Sequence, residues 1–271
     1  PVEEIIWDKK STRAIIKSSI ENRSEYRILN LQTGVDIKIK DHLSFLPNIE
    51  KLIFSPQSQE EFFGVSQFAL YKISLREKNS SEIINNISSY YSSDNFLYYV
   101  DKRSGDLIEI DLTSLRSDTI VEKYTPKQGY SVFFLNSKER FILNEKTLYF
   151  IKDKNSLEVL EKEIDYIEKK KNGKGFLVIK NLNEIEFLDE SGEKTLITRF
   201  GEKIIKAEEF FNEKNILYIS NNNIGIVNVS GTSNQEIERR TYESFSTIPD
   251  NYVLGKEGPY LYYFKINESP T

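Results

Sequence analysis

Apolar and polar residues alternate along the chain in short runs rich in Ile, Phe, Tyr, Leu and Val, and no helical period persists beyond a couple of turns. Alternation with a period of two puts successive side chains on opposite faces of an extended strand, so the pattern predicts β-structure from end to end. One strand type recurs. It reads Tyr26-Arg27-Ile28-Leu29-Asn30-Leu31 in its first copy and returns at 70–75, 107–112, 148–153, 184–189, 224–229 and 261–266. The seven copies end 36 to 44 residues apart. A second element lies upstream, in which a strand ends on an aromatic residue, a polar turn follows and an apolar strand resumes. Ile5 to Ile16 aligns in this way with Leu52 to Phe63, and weaker copies run over 90–98, 133–142 and 210–218.

A unit of about 40 residues is the period of a four-stranded propeller blade. The expected fold class is therefore all-β: a seven-bladed β-propeller of four-stranded antiparallel blades, forming a single domain over residues 1–271. Blades bury both faces against their neighbours, which accounts for strands such as Phe96-Leu97-Tyr98-Tyr99-Val100 that are apolar at consecutive positions. The innermost strands are expected to end near Trp7, Phe54, Tyr91, Phe134, Ile167, Phe210 and Phe245. Turns are expected at Ser104-Gly105, Asn172-Gly173, Ser191-Gly192 and Ser230-Gly231, where glycine accepts positive φ without steric cost. The seventh unit holds candidate strands at 244–248, 252–256 and 260–266 and lacks an outer one. Because an open edge exposes backbone donors and acceptors, closure is expected to use residues upstream of Pro1 or the Pro1-Val2-Glu3 segment. A chain that starts at Pro1 and contains no methionine is expected to be a portion of a longer protein.

Phe54-Ser55-Pro56, followed after a polar turn by Phe62-Phe63, resembles the blade motif W-S-P-D-G-K-x-I-A-F of TolB-like and dipeptidyl-peptidase-like β-propellers. The resemblance covers the whole chain in spacing and the first two blades in letters; Ser-Pro survives once and the Asp-Gly turn in no copy. It implies a protein- or peptide-binding propeller of a larger envelope-associated protein, located in the cell envelope, extracellular or periplasmic. In some such proteins the propeller follows an N-terminal membrane helix, so an anchor is expected upstream. An alternative reading is the gating propeller of a prolyl-oligopeptidase-like hydrolase, which a downstream Gly-x-Ser-x-Gly domain would mark. A third is an intracellular assembly scaffold of the WD-repeat kind; it is disfavoured because Trp7-Asp8 is the sole Trp-Asp pair and no Gly-His signature recurs.

Composition narrows the chemistry. The chain has 37 Lys+Arg against 42 Asp+Glu, a net charge of -5, one histidine and no cysteine. Disulfides, zinc-thiolate sites and thiol nucleophiles are excluded, and the acidic balance points away from nucleic acid. No apolar run reaches the length that spans a bilayer, so no membrane insertion by this segment is expected. His42 is expected to be an ordinary loop histidine, since a triad or metal site needs partners of kinds that are scarce here. Glu3-Glu4, Glu60-Glu61 and Glu208-Glu209 place neighbouring carboxylates on opposite strand faces and are expected at solvated turns and edges. Asp101 to Asp106 lacks the alternating oxygen ligands of a calcium loop and is expected to form a polar hairpin. The basic run Lys169 to Lys174 and the pair Arg239-Arg240 lack interleaved aromatics and are expected at charged turns and edges. Most of the 16 Tyr and 17 Phe are expected in the core between blades.

These readings predict a non-catalytic module with no cofactor and no metal. With the blade faces buried, recognition is expected to use loops at the ends of the strands. The connections between second and third strands, with Ser104, Gly105, Asn221, Asn222 and Asn223, are expected to carry the binding face for a protein or peptide partner. The opposite end carries the turns at Asp8 to Thr12 and Pro56 to Gln59.

Overall fold

Strand-to-strand pairing in this computed structural model follows the repeat. The residues described are 2–8, 10, 12–20, 23–43, 48–93, 95–126, 130–134, 139–170, 173–210, 214–221, 223–238, 242, 244–248, 252–258 and 260–266. They form six four-stranded sheets and one three-stranded sheet, with strands joined in chain order and antiparallel. Sheet 1 is β1 (Val2–Trp7), β2 (Arg13–Ile20), β3 (Arg23–Asn30) and β4 (Asp36–Lys38), after which comes one helical turn, α1 (Ile39–His42). Sheet 2 is β5 (Ile49–Phe54), β6 (Glu61–Ser66), β7 (Ala69–Ser74) and β8 (Asn79–Asn85). Sheet 3 is β9 (Ile87–Ser93), β10 (Phe96–Asp101), β11 (Leu107–Asp111) and β12 (Ser117–Val121).

Sheet 4 comprises β13 (Tyr130–Phe134), β14 (Arg140–Asn144), β15 (Thr147–Asp153) and β16 (Ser156–Glu161). Sheet 5 comprises β17 (Ile164–Lys169), β18 (Phe176–Lys180), β19 (Glu184–Leu188) and β20 (Lys194–Arg199). Sheet 6 comprises β21 (Ile204–Phe210), β22 (Asn215–Ser220), β23 (Ile224–Asn228) and β24 (Asn234–Glu238). Sheet 7 has three strands, β25 (Ser244–Ile248), β26 (Tyr252–Glu257) and β27 (Tyr260–Lys265). Two compact units result: Pro1–Tyr130 with Asp153–Ser156, and Ser131–Lys152 with Leu157–Thr271.

All seven copies of the recurring strand fall on the third strand of a sheet, and the aromatic-ended strands fall on the first. The repeat extends to irregularities. A register shift early in the first strand recurs between Val2/Glu4, Ile49/Lys51, Ile164/Tyr166 and Ile204/Lys206. Such bulges add local twist at the same point of these four sheets. The predicted turn glycines 105, 173, 192 and 231 all take positive φ.

Consecutive apolar residues serve two cores. In the first unit Phe62 packs with Ile15, Ile28 and Leu52 between sheets 1 and 2, while its neighbour Phe63 packs with Leu97, Tyr99 and Ile110 between sheets 2 and 3. In the second unit Phe176 and Val178 join Phe141 and Leu148 of sheet 4, whereas Leu177 and Ile179 join Ile216 and Tyr218 of sheet 6. A middle sheet is thus apolar on both faces, which is why its strands do not alternate.

Two expectations are corrected. His42 ends the helical turn α1 and does not sit in a loop, because Ile39 and Leu43 are both buried in the core between sheets 1 and 2 and hold that turn down. Glu209 is not a solvated edge residue: it is 3% exposed on β21, with the Lys170 ammonium 4.0 Å from its Oε1. The same ammonium stands 4.0 Å from the Phe187 ring centre, so this part of the basic run is occupied locally. Lys171, Asn172, Arg239 and Arg240 lie outside the described residues.

Candidate recognition site

In the first unit the turns that join first to second strands border a cleft of about 610 Å³, within the range of small-ligand sites. Trp7, the single tryptophan, ends β1 at its wall and is 51% exposed. Its backbone position is set by pairing with Ala14 across the β1–β2 turn, and that turn is held by one carboxylate. Asp8 Oδ1 accepts from the amides of Thr12 (2.7 Å) and Arg13 (3.1 Å), and Oδ2 accepts from Thr12 Oγ1 (3.0 Å) and Arg13 Nε (3.2 Å). Burial would raise the Asp8 carboxyl, but these donors from Arg13 and Thr12 outweigh it and hold Asp8 below its ordinary value.

Arg13 links this turn to the next sheet. Its Nη1 donates to the Gln59 carbonyl at 2.6 Å, and its guanidinium lies 4.9 Å from the centre of the Phe54 ring. Phe54 in turn meets Phe62 at 5.8 Å between centroids. Beyond Phe54, Ser55 is buried and its Oγ accepts from the Gln57 amide at 3.3 Å, while Gln57 Nε2 donates to the Thr113 carbonyl of sheet 3. The Phe-Ser-Pro run therefore lies in the cleft wall, between a bond to sheet 1 and a bond to sheet 3. Tyr90, on β9 two residues before the cleft residue Ser92, is pushed up to about 12, first by burial and then by the charges of Glu50 and Glu4.

Arg13 and Asp8 are spent on each other and on the backbone. Lys10 and Lys51, which also line the cleft, form no ion pair among the described residues. A half-exposed indole with two available ammonium groups suits a ligand that offers apolar surface and negative charge.

Of the expected binding residues, Ser104, Gly105, Asn221 and Asn223 lie at the other end of their sheets. Ser104 and Gly105 cap the β10–β11 turn, where Asp101 Oδ1 accepts from the Arg103 and Ser104 amides at 2.8 and 2.9 Å, the Gly105 amide donates to the Asp101 carbonyl, and Gly105 has φ 78°. This is the polar hairpin that the spacing predicts. In the second unit Asn221 is exposed after β22, and Asn223 is engaged: Oδ1 accepts from Ser220 Oγ at 2.6 Å and Nδ2 donates to Glu236 at 3.1 Å. Asn222 lies outside the described residues. Sequence reasoning passed over Trp7, Lys10, Arg13, Lys51 and Gln57 as site residues. The available signal was a lone tryptophan at the end of a first strand, in the copy that aligns with Phe54.

No protein-family profile matches the chain, and no curated protein matches it. Solved structures do. An oligogalacturonate lyase in complex with manganese superposes with a TM-score of 0.62 at 11% identity, covering 97% of this chain and 88% of that one. Dipeptidyl peptidase 4 of Porphyromonas gingivalis gives 0.61 at 11% identity, over 94% of this chain and 48% of that one. The extracellular domain of a hybrid two-component system from B. thetaiotaomicron gives 0.59 at 9% identity, over 98% of this chain and 38% of that one. At such identities the likeness is one of fold: the chain has a β-propeller fold, found as a module within proteins of differing activity. Among the described residues no helix is long and apolar enough to cross a membrane.

Proposed function

We propose that this propeller is a non-catalytic recognition module of a larger envelope-associated protein, and that it takes a peptide segment of a partner into the cleft around Trp7. The observation that carries the reading is the division of labour in that cleft. Its half-buried ionic pair, Asp8 and Arg13, is committed to holding two turns, while the indole of Trp7 is left half-exposed at the wall. A group fixed by four hydrogen bonds positions structure, whereas an exposed aromatic beside a cavity supplies contact area. An extracellular or periplasmic setting agrees with the fold's use in the extracellular domain of a two-component system.

The experiment is a selection of displayed random peptides on the purified protein, followed by binding titrations. Selected peptides are expected to lose about tenfold or more in affinity with Trp7→Ala, about 1.4 kcal/mol. Ser104→Ala, Asn221→Ala and Asn223→Ala are expected to leave affinity unchanged. Failure to enrich any peptide, or binders indifferent to Trp7→Ala, would overturn the proposal.

A further inference from the structure

A second cavity of about 380 Å³ adjoins the first and shares Arg13 and Gln59 with it. The hydrogen bond between those two residues is therefore a bridge with a hollow on either side. On the far side the walls are Ile37, Leu75 and Val35, the last 48% exposed, and two further cations, Arg76 and Lys78, stand at the rim. Four cations thus border the two cavities without an ion pair among the described residues: Lys10 and Lys51 at one end, Arg76 and Lys78 at the other. Two carboxylates, Glu4 and Glu60, share the lining with them beyond the committed Asp8. The local balance is positive in a chain whose net charge is -5.

We infer that the occupant is an acidic peptide in extended conformation, lying across the turn end of sheets 1 and 2 from Trp7 to Val35. This rests on the peptide-binding reading above and names the chemistry of the segment. An extended chain sends alternate side chains to opposite sides, so apolar residues can enter the two hollows while intervening carboxylates face the lysine and arginine heads. The aliphatic walls favour a peptide over an acidic sugar chain, whose hydroxyl groups would lose hydrogen bonds against Ile37 and Leu75. Rim charges of this kind set orientation and choice of partner more than affinity, and their effect is screened by salt.

The test uses fluorescein-labelled peptides of about ten residues, long enough as extended strands to reach both hollows, in which Asp or Glu alternates with Val, Leu or Phe. Counterparts carry Lys or Asn at the charged positions, and oligogalacturonate serves as a non-peptide polyanion. Fluorescence anisotropy on the whole chain is expected to show the acidic set binding about tenfold or more tightly than the basic and neutral sets. The double variants Lys10→Glu/Lys51→Glu and Arg76→Glu/Lys78→Glu should each weaken that binding about tenfold, and the basic peptides should gain affinity for the reversed proteins. That gain shows the variants to be folded and the contact to be charge-specific. Equal binding of acidic and basic peptides, or tighter binding of oligogalacturonate, overturns the inference. If neutral peptides bind as well as acidic ones and still depend on Trp7, the inference fails while the recognition function stands; if no peptide of any class binds, both fail.

Discussion

Arg13 and Gln59, 46 residues apart, meet through a 2.6 Å hydrogen bond from a guanidinium nitrogen to a backbone carbonyl, and that single contact ties the first turn of sheet 1 to the first turn of sheet 2. The same guanidinium pairs with Asp8 through Nε and lies over Phe54. A planar fork with donors on several edges can satisfy all three partners at once, which an ammonium cannot.

Replacing Arg13 should therefore be costly. Arg13→Ala leaves the half-buried Asp8 carboxylate without its cation and the Gln59 carbonyl without its donor, an expected loss of about 2 kcal/mol. Arg13→Lys keeps the charge and should fall between the variant and the native protein. Urea unfolding midpoints at neutral pH check both, and a loss below about 0.5 kcal/mol for Arg13→Ala would contradict the bridging role.

Acid should act on the same turn. The folded-state carboxyl of Asp8 is held below the ordinary value of 3.8 despite burial, by the donors from Arg13 and Thr12. A lowered folded value means that the stabilisation is complete above the unfolded value and disappears as pH falls through the folded one. The stability gap between native protein and Asp8→Asn is therefore expected to be constant near neutrality and to close below pH 3.8. Denaturation curves recorded over that range test it; a gap that widens on acidification would reverse the sign.

Gly231 separates backbone demand from simple loop tolerance. Its φ is +72° and a Cβ there would stand 1.9 Å from the Ile197 carbonyl oxygen, so Gly231→Ala should cost more than about 2 kcal/mol. At Gly201 nothing lies within 4 Å of an added Cβ, and Gly201→Ala should be neutral or stabilising by up to about 1 kcal/mol. Thermal unfolding of the two variants side by side gives the comparison, and equal shifts would refute it.

Trp7 supplies an intrinsic probe of the cleft, since no other tryptophan contributes to its emission. Half-exposed at the end of β1, it should emit at long wavelength and be quenched by acrylamide. Peptide binding should shift the emission to shorter wavelength and reduce the quenching, because the ring loses water contact. Binding measured by anisotropy with no change in this emission would place the ligand elsewhere.

Strand pattern, third-strand repeat, turn glycines and the shortened seventh sheet were all legible in the amino-acid order, because each depends on residues a few positions apart. Alternation of side chains is a local property of extended backbone, and positive φ at Gly105 or Gly231 is a property of a single turn. The cleft was not legible. Trp7, Arg13, Lys51 and Gln59 come from different strands and turns, and their meeting depends on how sheets 1 and 2 pack Ile15 and Ile28 against Leu52 and Phe62. Burial of Glu209 and the helical turn at Ile39–His42 have the same origin: a neighbouring ammonium and a shared core decide them, and neither leaves a period in the chain. Local hydrogen-bonding geometry is written residue by residue, whereas the contacts that make a site are set by packing between residues whose separation carries no pattern.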